Sequence, residues 1–170
     1  MLNIAYIGRT AAGKLTNLKA LAKQLPQHIS QPLNQVWIES GFYYYQLGLH
    51  YGGHNITLKA NHGAILFEKH QLYVLNDVDG VVFVLDSNRE LLDQNIHLLR
   101  TSCSYLAQQG RLGKIAKVIQ FNKRDLPDPY LTSLANFQHY CNAMNWPSIE
   151  ASAVNQQHCV ETLDLLLAQV

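Results

Sequence analysis

The chain has 170 residues, 48% of them hydrophobic, which fits one globular domain with room for a sizeable core. A net charge of +1 gives no electrostatic ground for binding nucleic acid or an anionic membrane surface. Cys103, Cys141 and Cys159 form no C-x-x-C pair and are odd in number, so packing residues in a reducing compartment are expected rather than a disulfide framework; the eight His residues show no ligand spacing, and no metal cluster is read from them.

The opening MLNIAYIG reads as a strand over residues 2–8 rather than a basic region before an apolar signal core. No stretch approaches about 20 continuous apolar residues, so a cytoplasmic protein without a membrane anchor is expected. A helix follows over residues 14–25, where Leu15, Leu18, Leu21 and Leu25 recur at helical spacing. After a polar loop with Pro26 and Pro32, residues 36–49 and 55–60 read as a hairpin around Gly52-Gly53, aromatic and β-branched along most of its length. A short helix is expected over residues 65–75. Residues 80–85 are apolar on both faces, as in a buried parallel strand. A long helix at 89–109, a strand at 115–121, a helix at 130–144, a short strand at 147–150 and a helix at 160–168 complete the order. The alternation predicts one α/β domain: a mostly parallel six-stranded sheet with one antiparallel strand and helices on both faces.

Two short runs carry the functional reading. GRTAAGKLTN at residues 8–17 directly follows the first strand and matches the GxxxxGK pattern of a phosphate-binding loop. A polyphosphate brings several negative charges that must be neutralised without bulky side chains in the way, so a loop of small residues wraps it with backbone N–H groups. Gly8, Ala11, Ala12 and Gly13 suit that wrap, and Lys14 would reach the outer phosphates as a point charge. The helix that starts there, with Leu15 and Thr16 in its first turn, aims its N-terminal dipole at the anion. A glycine-containing turn with a surface Lys is the plainer explanation, and the second run argues against it. FNKRDLP at residues 121–127 follows the apolar Val118, Ile119 and Phe121 and has the form of a guanine-reading motif. Guanine presents N1–H and an exocyclic amine, two donors that one carboxylate accepts as a bidentate pair; Asp125 is the expected reader. Asn122 can bond the ring edge and the phosphate loop, and the stem of Lys123 can cover a face of the base. In Ala151-Ser152-Ala153, Ser152 and Ala153 are expected to offer backbone N–H groups to the guanine carbonyl. Both runs fall at carboxyl ends of strands, where open α/β sheets take their ligands.

The runs DVDGVVFVLDS at 77–87, VIQFNKRDLP at 118–127 and GKLTNL at 13–18 resemble the bacterial MglA-type Ras-like small GTPases. The resemblance covers nearly the whole chain and is poorest over residues 27–60. It implies a P-loop NTPase fold of Ras type, GTP/GDP as ligand, Mg²⁺ beside the phosphates, and a Roadblock-fold partner of the MglB kind in cell polarity or motility. It also marks departures. Where the family has the Thr whose hydroxyl binds Mg²⁺, this chain has Leu15, so a weakly held metal is expected. Thr10 stands where the family has a Gly beside the γ-phosphate. In Ala60-Asn61-His62-Gly63-Ala64, Gly63 retains the γ-phosphate-sensing N–H, while Ala64 replaces the water-orienting Gln and leaves His62 as the candidate to orient a water. Ser40 is the hydroxyl nearest the family's first-switch Thr, and of Phe42, Tyr43, Tyr44 and Tyr45 two rings are expected in the core and two exposed for a partner. Three functions stay open: a guanine-nucleotide-binding module with little hydrolysis, a GTPase whose missing groups come from a partner, and a nucleotide-free docking protein.

Overall fold

The computed structural model describes residues 1–38, 41–62, 72–141 and 144–170. Its strands are β1 (Leu2–Ile7), β2 (Ile29–Ile38), β3 (Phe42–Tyr51), β4 (His54–Asn61), β5 (Gly80–Asp86), β6 (Ala116–Asn122) and β7 (Ser148–Glu150). The helices are α1 (Lys14–Gln24), α2 (Leu92–Gln108), α3 (Leu134–Cys141) and α4 (Cys159–Leu167). The strands form one sheet in the order β2-β3-β4-β1-β5-β6-β7. β3 runs antiparallel to both of its neighbours, and the pairs β4–β1, β1–β5, β5–β6 and β6–β7 are parallel. This is a mixed α/β architecture, broadly consistent with a P-loop or Ras-like fold.

Side-chain alternation assigns the two faces. Along β1, Ile4 and Tyr6 join a core with Leu18 and Leu21 of α1 and Leu163 and Leu166 of α4, whereas Ala5 and Ile7 join a second core with Leu99 and Leu106 of α2 and Phe137 of α3. β5 splits the same way, Val82 and Val84 to the first core and Val81, Phe83 and Leu85 to the second, and all seven of its residues are buried. A strand covered by helices on both sides needs this continuous apolar run, which is why it was legible.

The sheet has seven strands, not the expected six. The stretch 36–49 is not one arm: it turns near Gly41 (φ +77°), and Trp37 pairs with Tyr43 and Ile38 with Phe42 across the new hairpin. The expected polar loop is itself the start of β2. Pro32 lies inside that strand, as an edge strand permits because one of its sides needs no N–H partners, and the pairing with β3 slips between Ile29 and Gln31 and again between Gln31 and Asn34. The Gly52-Gly53 turn is as expected. Both glycines have positive φ, and Tyr51 pairs with His54, the geometry of a two-residue type I′ hairpin. The four aromatic residues 42–45 are all half-buried, so the expected division into two core and two exposed rings is not found. Most of the expected helix at 65–75 lies outside the described residues, apart from a single 3-10 turn at Tyr73–Leu75. α3 starts four residues later than expected, because Pro127 opens a 3-10 turn (Asp128–Tyr130) and Leu131 then bridges to Asn88.

Because β4, β1, β5, β6 and β7 run the same way, their carboxyl ends share one rim of the sheet. On that rim Gly8 passes directly over β5: a Cβ there would lie 2.4 Å from the Val84 carbonyl oxygen and 3.2 Å from the Ala12 Cβ. Since the obstructing atom is backbone, Gly8→Ala is expected to cost about 2 kcal/mol and to lower the thermal midpoint by about 4–8 °C. Unfolding scans of the two proteins check this, and an unchanged midpoint would show the loop to be freer than its contacts imply.

Candidate functional site

The loop between β1 and α1 is built from small residues in uncommon backbone conformations. The Ala12 N–H turns back to the Arg9 carbonyl at 3.1 Å, Ala11 has φ +61°, and Gly13 has φ +102°. Ala11 is the costly member, since a residue with a Cβ seldom adopts this region outside constrained sites. Gly13 precedes the first turn of α1, to which no side chain among the described residues supplies a cap. Lys14 is 4% exposed and its Nζ donates to the carbonyl oxygens of Gly8 and Arg9, both at 2.8 Å. Burial, with the neighbouring Arg9 guanidinium as the lesser cause, pushes the Lys14 ammonium down to about 8. Arg9 itself reaches α2, donating from Nη2 and Nε to Gln94 Oε1 at 2.6 and 3.1 Å, and from Nη1 to the Thr10 carbonyl at 3.2 Å.

The second run meets this loop through one side chain. Asn122, the last residue of β6, donates from Nδ2 to the Ala12 carbonyl at 2.7 Å and accepts the Ala153 N–H on Oδ1 at 3.0 Å. The fit is close enough that a Cβ on Gly13 would fall 2.2 Å from Asn122 Nδ2. Three segments far apart in sequence, 8–14, 122–125 and 151–153, are thereby drawn together. Beneath them a buried amide pair joins α1 to β6, Asn17 and Gln120 exchanging two bonds at 2.9 Å, and Gln120 donates onward to Thr162 of α4 at 2.9 Å.

At the outer end of the motif Asp125 is exposed, and its Oδ1 accepts the Ser152 hydroxyl at 2.5 Å. Ser152 was expected to contribute its N–H. That N–H bonds the Gln157 carbonyl at 3.2 Å and the N–H of Ala153 is taken by Asn122, while the Ser152 hydroxyl is on Asp125. Lys123 is held by a carboxylate. It adopts φ +65° and its Nζ sits 2.7 Å from Oδ2 of Asp86, a carboxylate only 1% exposed at the end of β5. Arg124 closes the edge by pairing with Glu150 at 2.7 Å.

A cavity of about 350 Å³ opens beside Lys14, lined by Ala11, Gly13, Lys14, Leu15, Thr16, Tyr45, Asn61 and His62. Tyr45 and Asn61 were not anticipated. Asn61 is 4% exposed and its Oδ1 is buried without a hydrogen-bond partner among the described residues, and Tyr45 reaches the cavity because β3 places it opposite Ala60. The His62 ring packs 4.6 Å from Tyr43 and 6.2 Å from Tyr45, centroid to centroid, and Tyr43 continues to Trp37 at 4.8 Å. His62 is thus part of an aromatic row at the cavity rim. Mg²⁺ takes a tight octahedron of oxygens. Among the described lining residues Thr16, Tyr45 and Asn61 bear side-chain oxygens, none is a carboxylate, and Leu15 brings no oxygen. These residues fit Mg²⁺ poorly, and among the described residues no group of three His, Cys, Asp or Glu side chains is gathered elsewhere. Ser40, Gly63 and Ala64 lie outside the described residues.

The fold and this rim define an α/β domain with a small-residue loop between strand and helix, broadly of P-loop or Ras-like form. Over 102 residues the chain is 36% identical to the mutual gliding-motility protein MglA of Myxococcus xanthus (strain DK1622), an alignment covering 59% of this chain and 51% of that protein. The likeness is distant. The chain spans about half the length of the curated relative it matches, and no family model matches it. No helix among the described residues is long and apolar enough to cross a membrane.

Proposed function

We propose that this chain is a guanine-nucleotide-binding module of MglA-like type with little intrinsic hydrolysis, serving as a regulatory switch or scaffold in bacterial polarity or motility. The observation that carries the reading is Asn122, whose two hydrogen bonds draw the glycine loop and the Asp125–Ser152 edge onto one rim. In this proposal the backbone N–H groups of residues 8–16 and the Lys14 ammonium take the phosphates, Lys14 exchanging two carbonyls for anionic oxygens. Asp125 reads the guanine edge, its carboxylate oriented by the Ser152 hydroxyl, and Lys123 flanks the base after release from Asp86. Gly63 would sense the terminal phosphate. Identifying by chromatography the nucleotide released from denatured protein, and assaying its turnover with and without Mg²⁺, tests the reading. A guanine nucleotide with slow turnover is expected, fast turnover by the chain alone promotes the hydrolase, and failure of the refolded chain to bind any nucleotide promotes the docking protein.

Slow turnover follows from three residues acting together. Leu15 supplies no metal ligand, Thr10 crowds the terminal phosphate, and Ala64 cannot orient a water; phosphoryl transfer depends on these positioning terms. His62 is the remaining candidate to hold that water, from the aromatic row beside Lys14. The poor fit of the cavity to Mg²⁺ has its own consequence: GDP affinity is expected to change less than about threefold between Mg²⁺ and chelator, whereas Leu15→Thr is expected to introduce a dependence of tenfold or more. Titration of a fluorescent GDP analogue in both media measures it, and a steep dependence in the unaltered chain counts against it. The row Trp37, Tyr43, Tyr45 and His62, ending in an indole that is 63% exposed, supports a Roadblock-type protein dimer as the partner over this face.

A further inference from the structure

Arg9 is a cation that the proposed reading leaves without a task. Its guanidinium is always charged, yet its three hydrogen bonds go to two neutral acceptors, Gln94 Oε1, reached twice, and the Thr10 carbonyl. Lys14, whose ammonium bonds the Arg9 carbonyl, is likewise surrounded by neutral acceptors, and among the described residues no carboxylate lies within ion-pair distance of either cation. Elsewhere at this end of the sheet the chain neutralises its cations locally, Lys123 with Asp86 and Arg124 with Glu150. Two adjacent cations to which the described residues bring no counter-charge, one of them buried, repel each other until a polyanion arrives. The Arg9–Gln94 contact is solvent-exposed, so exchanging a neutral amide for an anionic oxygen costs little.

We propose that Arg9 is a second phosphate cation: when a nucleoside triphosphate binds, its guanidinium leaves Gln94 and takes the terminal phosphate, supplying charge where the cavity is ill suited to hold Mg²⁺. The proposal rests on the nucleotide-binding reading above and makes Arg9 a determinant of triphosphate over diphosphate preference. Arg9 carries a fork that matches phosphate oxygens in pairs, which a Lys at the same place lacks. Gln94, on the first turn of α2, is then the resting place of the guanidinium rather than a structural tie.

The test compares the affinities of fluorescent GDP and of a fluorescent non-hydrolysable GTP analogue, in chelator, for the unaltered chain and for Arg9→Ala, Arg9→Lys, Gln94→Ala and Gln94→Glu. Arg9→Ala is expected to weaken the triphosphate analogue about tenfold or more while GDP changes less than about twofold. Arg9→Lys should recover part of that loss. Gln94→Ala should preserve or raise triphosphate affinity, and Gln94→Glu should lower it by holding the guanidinium on a carboxylate. Because the Gln94 variants leave Arg9 in place, they decide the matter even if Arg9→Ala folds poorly. Equal losses for both nucleotides on Arg9→Ala, or a Gln94→Ala that reproduces Arg9→Ala, would reduce Arg9 to a tie between loop and helix and overturn the proposal. No binding of either nucleotide by the unaltered chain would overturn the underlying reading together with it, whereas binding of both with no effect of Arg9→Ala would overturn this proposal alone.

Discussion

Replacing Asp125 by Asn is expected to weaken GDP and GTP binding by about a hundredfold or more and to strengthen binding of the xanthosine nucleotides. A carboxylate offers two acceptors to the two donors of guanine, and loss of a charged hydrogen-bond partner costs about 3 kcal/mol when its donors are left unpaired. An amide at the same place presents one acceptor and one donor, which suits xanthine, where a carbonyl replaces the exocyclic amine. The surroundings favour a clean exchange: Asp125 is exposed, and the oxygen that accepts the Ser152 hydroxyl persists in Asn. Competition of GDP, ADP and xanthosine diphosphate against one fluorescent nucleotide measures the switch. Equal affinity of the unaltered chain for adenine and guanine nucleotides would remove Asp125 as the base reader.

Lys14 gives the second large effect, with opposite trends for the free and the bound protein. In the folded free chain the Lys14 ammonium titrates at about 8, below the roughly 10.4 of an unfolded lysine. Below pH 8 both states hold the proton and the cost of burying the charge is present in full. Between about pH 8 and 10.4 the unfolded chain holds more protons than the folded one, so stability rises with pH through this window. Nucleotide binding needs the charged form, so affinity should fall as pH rises above 8, by up to tenfold per unit. Lys14→Met is expected to remove both trends and to lower nucleotide affinity about a hundredfold or more. Denaturant unfolding and nucleotide titration at pH 7, 8, 9 and 10, taken as differences between the two proteins, isolate Lys14 from the other groups that titrate there. A stability difference that stays flat across the window would mean that the ammonium is not shut away from water as its 4% exposure implies.

What could be read from the sequence was what repeats a local rule. β5 declared itself because helices cover both its faces, and the tight turn after β1 because Gly8 and Gly13 leave no room for a Cβ beside Val84 and Asn122. β2 was hidden because an edge strand tolerates Pro32 and a mostly polar sequence, the signals that elsewhere mark a loop. The tertiary choices were hidden as well. No local pattern shows that Lys123 turns to Asp86, that the N–H groups of Ser152 and Ala153 are spent internally, or that Tyr45 of β3 and Asn61 of β4 line one cavity. The break of the stretch 36–49 was the nearest miss. A 14-residue strand is unusually long, and the glycine at position 41 marked the place to divide it.

The aromatic row on β2 and β3 also equips the molecule with its own optical probe. The chain has two tryptophans. Trp146 is stacked 5.5 Å from Phe83 against the second core, on the sheet face opposite α1, while Trp37 is water-exposed and linked through Tyr43 to His62 at the cavity beside Lys14. A ligand or protein that displaces His62 therefore alters the surroundings of one indole and spares the other. With Trp146→Phe as the background, emission from Trp37 alone would follow events at the rim in real time, without any dye attached.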